Sequence, residues 1–397
     1  MSETSPESSL LTKTASLLRS AACKRPQAMN EHASINDASR IAPARSANLV
    51  RGAAALCIAP IAGSSLRECC ELAEAGRRRR GALARLRAKR NSQGMTLQAI
   101  VLGSAAGGGF PQWNCACANC ARARSGELPS RTQDSLAVSA DGHSWFLLNA
   151  SPDLARQIER TSVLWPRRGR SSPIQGVVLT NGDIDHVLGL FMLRENQPLV
   201  VYATPQVRAG LEQNVMFKTL QRFEDQLTWR SLDFGREQQL QGADGLASGI
   251  FVRAFAAPGK LPVHLIDHGV RSVGDNCGLS LRGSGDARLV YASATATVEP
   301  IFEQLDAAAV LLLDGTFWSE TELGDRGLGS ARARDMAHVV MSGSAGSLAL
   351  CRELRTTRRF YTHINNTNPV LDSRSAERRS LNEHGWQLAE DGLRLQV

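Results

Sequence analysis

From residue 97 onward, apolar residues recur in short runs of strand length, separated by polar and glycine-rich turns. TLQAIVLGSAAGGG begins as a buried strand and runs into a glycine-rich turn. LAVSADGHSWFLLNAS (136–151) places two apolar stretches around an Asp-Gly turn and predicts a hairpin. IQGVVLT (174–180) predicts a strand ending in the polar loop NGDIDH, and PLVVYAT (198–204) predicts another. GIFVRAFAA, CGLSLRG, ARLVYAS, AAVLLLDGT and RRFYTHIN read the same way. Helical patterns lie at DLARQIERT (153–161), VLGLFMLRE (187–195), TPQVRAGLEQNVMFKTL (204–220), VEPIFEQL and SLALCREL. The third opens on a Thr-Pro pair suited to the N-cap and the first helical position. Two strand-rich halves with interspersed helices predict an α/β sandwich rather than a doubly wound sheet. No internal repeat of fixed period is present.

Residues 1–94 break this pattern. They are rich in Ser, Ala and Arg, include GRRRRGALARLRAKR (76–90), and have poor apolar periodicity. We expect a basic, disordered extension rather than a nucleic-acid or membrane-surface patch, with the native start at Met95 and one folded domain over 95–397. The whole chain carries +8, but residues 1–94 hold 16 Lys and Arg against 7 Asp and Glu, which leaves residues 95–397 at −1. The folded body is not basic, so no nucleic-acid partner is expected. The apolar run AAALCIAPIAG (53–63) falls short of the roughly 20 residues a bilayer span needs, and MSETSPESSLL lacks the basic start of a signal peptide. No integral membrane segment is expected. Nine cysteines, odd in number and unevenly spaced, argue against a secreted disulfide framework and for a reducing compartment, the cytoplasm. The sequence leaves the oligomeric state open.

The loop NGDIDH places Asp183, Asp185 and His186 directly after a buried strand, where side chains on a strand-end loop can converge. Two readings stand: a metal site, or a solvated turn in which Asp185 caps a helix beginning at Val187. LLLDGTFW sets Asp314 at the end of a second apolar strand, and FYTHINNTNP sets His363 at the end of a third. Alone, Asp314 reads as a turn former and His363 as a satisfied buried imidazole; with the 183–186 loop they make a candidate ligand set. Upstream, FPQWNCACANC brings Cys115, Cys117 and Cys120 close together. Three thiolates at this spacing let a short loop wrap one tetrahedral zinc if a fourth ligand comes from elsewhere, and such a closed site is structural. GSAAGGG (103–109) lacks the Gly-Lys-Ser/Thr of a phosphate loop and is expected to serve tight backbone packing. Asp153 reads as a helix cap, and His143 has no evident partner.

In their order along the chain these elements resemble the metallo-β-lactamase pattern, His-x-His-x-Asp-His after a strand, then a strand-end Asp and a strand-end His. The first motif stands here as Asn181-x-Asp183-x-Asp185-His186, so two histidines of a dinuclear zinc site are missing. Within that superfamily the chain resembles the PqqB family, the B proteins of coenzyme PQQ (pyrroloquinoline quinone) biosynthesis. The residues that carry this are VLGSAAGGGFPQWNCACANC (101–120), RTQDS (131–135), NASPD (149–153), IDH (184–186), GDN (274–276), VEP (298–300), DGTFW (314–318) and HINNTNP (363–369). They span essentially all of 95–397.

The resemblance implies a metallo-β-lactamase-like αββα sandwich and an iron-dependent hydroxylase. Its substrate is the tyrosine ring of a glutamate-tyrosine precursor, and other PQQ biosynthesis proteins are candidate partners. On that model Asp185, His186 and His363 hold iron(II), Asp314 adds a ligand or orients one, and Asp183 is the next candidate. One or two imidazoles with carboxylates and open positions suit Fe(II), whereas soft thiolates select zinc. Relatives with a similar cysteine cluster take a distant histidine as fourth zinc ligand, which makes His338 a candidate and His363 another. Asn365, Asn366 and Asn368 are expected to fix loop geometry or to bind the substrate. Two other readings are kept: a carrier that moves PQQ or its precursor towards the periplasm, and a phosphodiesterase or other hydrolase, for which the loop lacks the usual histidines.

Overall fold

The structure, a computed structural model, describes residues 96–266, 271–356 and 358–397. The basic stretch 1–94, Met95 and His268 lie outside these residues, and with them the expectations about an extension and a native start.

Six strands come first in chain order: β1 (Gln98–Gly103), β2 (Ser135–Ser139), β3 (Trp145–Leu148), β4 (Ile174–Val178), β5 (Leu199–Ala203) and β6 (Leu227–Ser231). Seven follow: β7 (Glu237–Gln241), β8 (Ala247–Ala256), β9 (Cys277–Arg282), β10 (Leu289–Ala292), β11 (Val310–Asp314), β12 (Arg358–Thr362) and β13 (Trp386–Leu388). The last, β14 (Arg394–Gln396), returns to the edge of the first sheet, beside β1. The two seven-stranded sheets run β14-β1-β2-β3-β4-β5-β6 and β13-β12-β11-β10-β9-β8-β7. In each, antiparallel pairs give way to parallel ones, from β3 to β6 in the first and from β10 to β13 in the second. Parallel strands deliver their C-terminal ends to one side of a sheet, the side where ligands gather in open α/β sheets. The loops leaving β4, β11 and β12 therefore emerge together, and they carry His186, Asp314 and His363.

Alternation along the strands sets three apolar layers. Between the sheets, Val138, Phe146, Leu148, Val200 and Tyr202 meet Ile250, Val252, Leu279, Leu281 and Leu312. On the outer face of the first sheet, Ala137, Leu147, Val177 and Val201 pack under the helices Leu154–Arg160 and Pro205–Glu212. On the outer face of the second, Leu311, Leu313 and Tyr361 pack under Phe302–Asp306 and Ser347–Leu350. The architecture is the αββα sandwich expected from the sequence. Among the described residues no helix is long and apolar enough to cross a membrane, and Cys115, Cys117, Cys120, Cys277 and Cys351 are free thiols.

Several helical expectations shorten. The segment read as a helix over 187–195 is one α-turn, Ile184–Val187, followed by a tighter 3-10 run, Leu188–Leu193. Tertiary hydrogen bonds claim its backbone: Ala150 donates to the His186 carbonyl at 2.7 Å, and Gly189 donates to Ala150 at 2.9 Å. Gly189 must be glycine, because a Cβ there would come 2.1 Å from the Ser151 carbonyl oxygen. The helix expected over 204–220 stops at Glu212, and Asn214 starts a 3-10 turn by accepting from the Met216 N–H at 3.0 Å. SLALCREL is helical only over Ser347–Leu350.

Candidate metal centre

The first side of the site grows out of β4. The Asn181 side-chain oxygen accepts from the Asp183 N–H at 3.0 Å, a local turn that leads into Ile184–Val187 and so sets Asp185 and His186. His186 is 1% exposed, and its two nitrogens have unlike surroundings. Nδ1 lies 3.3 Å from the Thr180 hydroxyl, whose own proton goes to Asn149 Oδ1 at 3.0 Å. The imidazole is therefore the donor in that contact, and Nε2 carries the lone pair. Nε2 is buried with no hydrogen-bond partner, which for a polar atom inside a protein calls for something that binds it. The chain of donors continues inward. Asn149 Nδ2 donates to Tyr291 Oη at 3.2 Å, and Tyr291 donates to Asp134, a buried carboxylate that also accepts from Thr362. A directed run of hydrogen bonds thus leads from an inner carboxylate to one unpartnered lone pair of the site.

The second side comes from β11 and β12. Asp314, in register with Thr362 and fully buried, accepts from the Thr295 N–H at 2.8 Å, the Thr316 N–H at 3.0 Å, the Thr316 hydroxyl at 2.7 Å and His338 Nδ1 at 2.7 Å. His363 follows β12 with φ +58°, a left-handed backbone that residues with a Cβ adopt at a cost and that clusters at functional sites. Its Nδ1 faces the Thr316 hydroxyl at 2.9 Å, and its Nε2 faces Asp185 Oδ2 at 3.1 Å. Because the Thr316 proton is spent on Asp314, Nδ1 of His363 is again the donor. Thr180 and Thr316 do the same job, each two residues beyond the end of a parallel strand.

Two trios result: Asp185, His186 and His363, and Asp314, His338 and His363, each with ligand atoms within 4.8 Å of one another. His363 belongs to both. Burial disfavours the His363 cation, yet the Asp185 carboxylate beside it, with Asp134 and Asp314, outweighs burial and raises it to about 9. Burial pushes the Asp185 carboxyl up, and His186 and His363 more than reverse this, holding it well below the usual carboxylate range. His186 is pushed down by burial. One carboxylate oxygen and two imidazole nitrogens thus share a point where positive charge is favoured, which is what a metal ion requires of its donors.

The trio opens onto a cavity of about 290 Å³, with Gly107, Lys260, Phe317 and Asn365 in its wall. Gly107 is suited to its place, since a Cβ would stand 3.1 Å from Asp185 Oδ2. The glycine-rich stretch 103–109 therefore does serve close backbone approach. Asp183 and His264 line the cavity but belong to neither trio.

The three sulfurs of Cys115, Cys117 and Cys120 also lie within 4.8 Å of one another, with Cys120 on the helix Ala118–Arg124 and Cys117 at its N-cap. They face the Asn366 amide, whose Nδ2 is 3.1, 3.7 and 3.3 Å from Cys115, Cys117 and Cys120. His338 and His363, the histidines expected as candidates for a fourth position, lie together with Asp314 instead. The Val339 N–H bonds to the Thr295 carbonyl at 2.7 Å and keeps the neighbouring His338 against Asp314. Asn366 and Asn368 were expected to fix loop geometry or to bind the substrate. Both are buried, and Asn368 Nδ2 donates to the Gly315 and Thr316 carbonyls at 3.1 and 3.3 Å. Of the three asparagines, Asn365 lines the cavity. Asp153 sits at an N-cap but makes no capping bond; it accepts instead from Gln133 N and Nε2 at 2.9 and 3.0 Å. Thr180, Thr316, Asn149, Asp134 and Tyr291 were not singled out by the sequence. Asn149 and Asp134 stand in NASPD and RTQDS, two of the segments that carry the family resemblance.

The family model of the beta-lactamase superfamily domain matches residues 144–364. Coenzyme PQQ synthesis protein B of Rhodopseudomonas palustris is 41% identical over 304 residues, covering 75% of this chain and 98% of the relative. That of a Methylobacterium species is 42% identical over 306 residues, covering 75% of this chain and 99% of the relative. Among solved structures, Zn(2+)-bound PqqB from Methylobacterium extorquens superposes with a TM-score of 0.70 and 40% identity, over 76% of this chain and 100% of that one. A diphosphatase from the PhnP family superposes with a TM-score of 0.54 at 21% identity, over 76% of this chain and 98% of that one, a likeness of fold. The chain belongs to the coenzyme PQQ synthesis protein B family of the β-lactamase superfamily.

Proposed function

We propose that the protein is a metal-dependent enzyme of PQQ biosynthesis that hydroxylates the tyrosine ring of a glutamate-tyrosine precursor, with iron(II) as its working metal. The observation that carries this reading is the buried, unpartnered Nε2 of His186 beside Asp185 and His363. Two imidazoles and one carboxylate with room left around them form the donor set suited to non-haem Fe(II). Bound there, iron would supply activation of O2. The chain's own residues do the rest: Thr180 and Thr316 keep the Nε2 lone pairs turned to the site, Asp314 orients His338, and Ile184, Phe317 and Met336 give the ring an apolar surface. Cys115, Cys117 and Cys120 hold a structural zinc in this reading, and a half-turn of the Asn366 amide offers its Oδ1 as the fourth donor. Free thiols in such a site fit the cytoplasm.

The test is reconstitution with Fe(II) under anaerobic conditions, addition of the precursor, then O2, with products followed by mass spectrometry. Gain of one oxygen atom on the tyrosine ring is expected. No oxygenated product from fully iron-loaded protein removes the reading in favour of the carrier.

A further inference from the structure

Lys260, Val263 and His264, after β8, line the cavity of the candidate ligands, and the segment is pinned on both sides of one cation. Gly259 packs on Asn276 so closely that a Cβ would come 2.5 Å from the Asn276 Cβ. Pro262 packs on Gly182, where a Cβ would lie 3.3 Å from the Pro262 Cγ. Lys260 lies between these two contacts and lines the cavity, half-buried. Among the described residues it makes no ion pair or hydrogen bond, although its charge acts on Asp183. His264, in the 3-10 turn Val263–Leu265, lines the same wall. Residues 95–397 contain only two lysines, Lys218 and Lys260, among 30 Lys and Arg.

We propose that Lys260, assisted by His264, is a carboxylate-binding subsite that selects substrates carrying an acidic group beside the ring presented to the metal. A half-buried ammonium has lost part of its hydration, and Asp183 compensates it only at a distance, with no hydrogen-bonded carboxylate of the chain in its place. Lys260 is the lysine of this lining, which also holds Asp183 and Asp185, so a ligand's acidic group gains most by seating on its ammonium. Ile184, Phe317 and Met336 supply apolar surface for the ring of the same molecule. The cavity thus reads an aromatic body with an acidic tail. This rests on the reading above only in taking the cavity as the place where substrate sits.

A pair of probes that differ in one group tests it: 3-(4-hydroxyphenyl)propanoate and its neutral amide, titrated calorimetrically into the full chain loaded with redox-silent Zn(II). The acid is expected to bind the unmodified protein about tenfold more tightly than the amide. Lys260→Gln should weaken the acid to the level of the amide and leave the amide unchanged, while Lys260→Arg keeps most of the difference. Metal content and melting temperature, measured on each variant, should not move. Equal binding of acid and amide by the unmodified protein, no binding of either, or a difference that survives Lys260→Gln overturns the proposal. Acid selectivity that depends on Lys260, in a protein that yields no oxygenated product, would remove the hydroxylase reading and leave this one standing.

Discussion

The Thr180 hydroxyl accepts from His186 Nδ1 at 3.3 Å while its own proton is held by Asn149. That relationship fixes which nitrogen of a buried imidazole can bind a metal. Thr180→Val keeps the shape and removes the acceptor, so the neutral ring becomes free to place its proton on Nε2. Metal affinity at Asp185, His186 and His363 is expected to fall by about 10- to 100-fold, with the thiol-bound equivalent unchanged. Competition against a chelator measures this, and unaltered affinity would sink the tautomer argument.

The two clusters are expected to lose metal separately. His186→Ala or His363→Ala should abolish binding at the Asp/His trio and leave about one equivalent at the sulfurs. Cys117→Ser should lose the sulfur-bound metal together with soluble protein, because a structural site contributes directly to folding. Elemental analysis of the purified variants decides it; parallel loss of both metals in all three variants would contradict two distinct pockets.

Protons compete with metal at His363. Its value is raised from 6.5 to about 9, so its contribution to stability is complete below 6.5 and is lost as pH rises through 9. Asp185 is shifted the other way, and its contribution is complete above the ordinary carboxylate value of about 4 and is lost on acidification. Protein stripped of metal at the Asp/His trio but keeping its sulfur-bound metal should therefore melt highest between about pH 4 and 6.5 and progressively lower from there to pH 9. Metal binding displaces the His363 proton, so apparent affinity should climb over the same upper range. A melting temperature flat from pH 6.5 to 9 in stripped protein would show that Asp185 and His363 are not paired in solution.

Asn366 offers a third distinction. Asn366→Ala leaves three sulfurs without a fourth side chain and is expected to speed zinc release, read with a colorimetric chelator. Asn366→Asp keeps an oxygen in place and should slow release relative to the alanine variant. Identical release rates for the two variants would remove Asn366 from the coordination.

Much of this site was legible because its ligands sit where apolar strands stop. Asp314 after VLLL and His363 after RRFYT are polar residues at abrupt strand ends, and Asp185 with His186 follow IQGVV. The position of His338 beside Asp314 was not legible, because a non-local contact, Val339 to Thr295, places it. Thr180 and Thr316 were silent for a different reason: threonine after a strand is ordinary, and only the direction of its proton gives it a role. The strands β6 and β7 were missed because they lie at sheet edges and read LTWRS and EQQLQ, with one buried residue between them. An edge strand buries little, so it leaves little apolar signature.

Six residues, His363 to Asn368, tie the two ion pockets into one piece of backbone. His363 reaches one pocket, Asn366 the other, and Asn368 fastens the loop to the carbonyls beside Asp314. Maturation should consequently run in one direction, the sulfur cluster setting first and the imidazole falling into place behind it. Oxidation of the thiols, or growth starved of zinc, would then misplace the imidazole of a centre that neither insult touches.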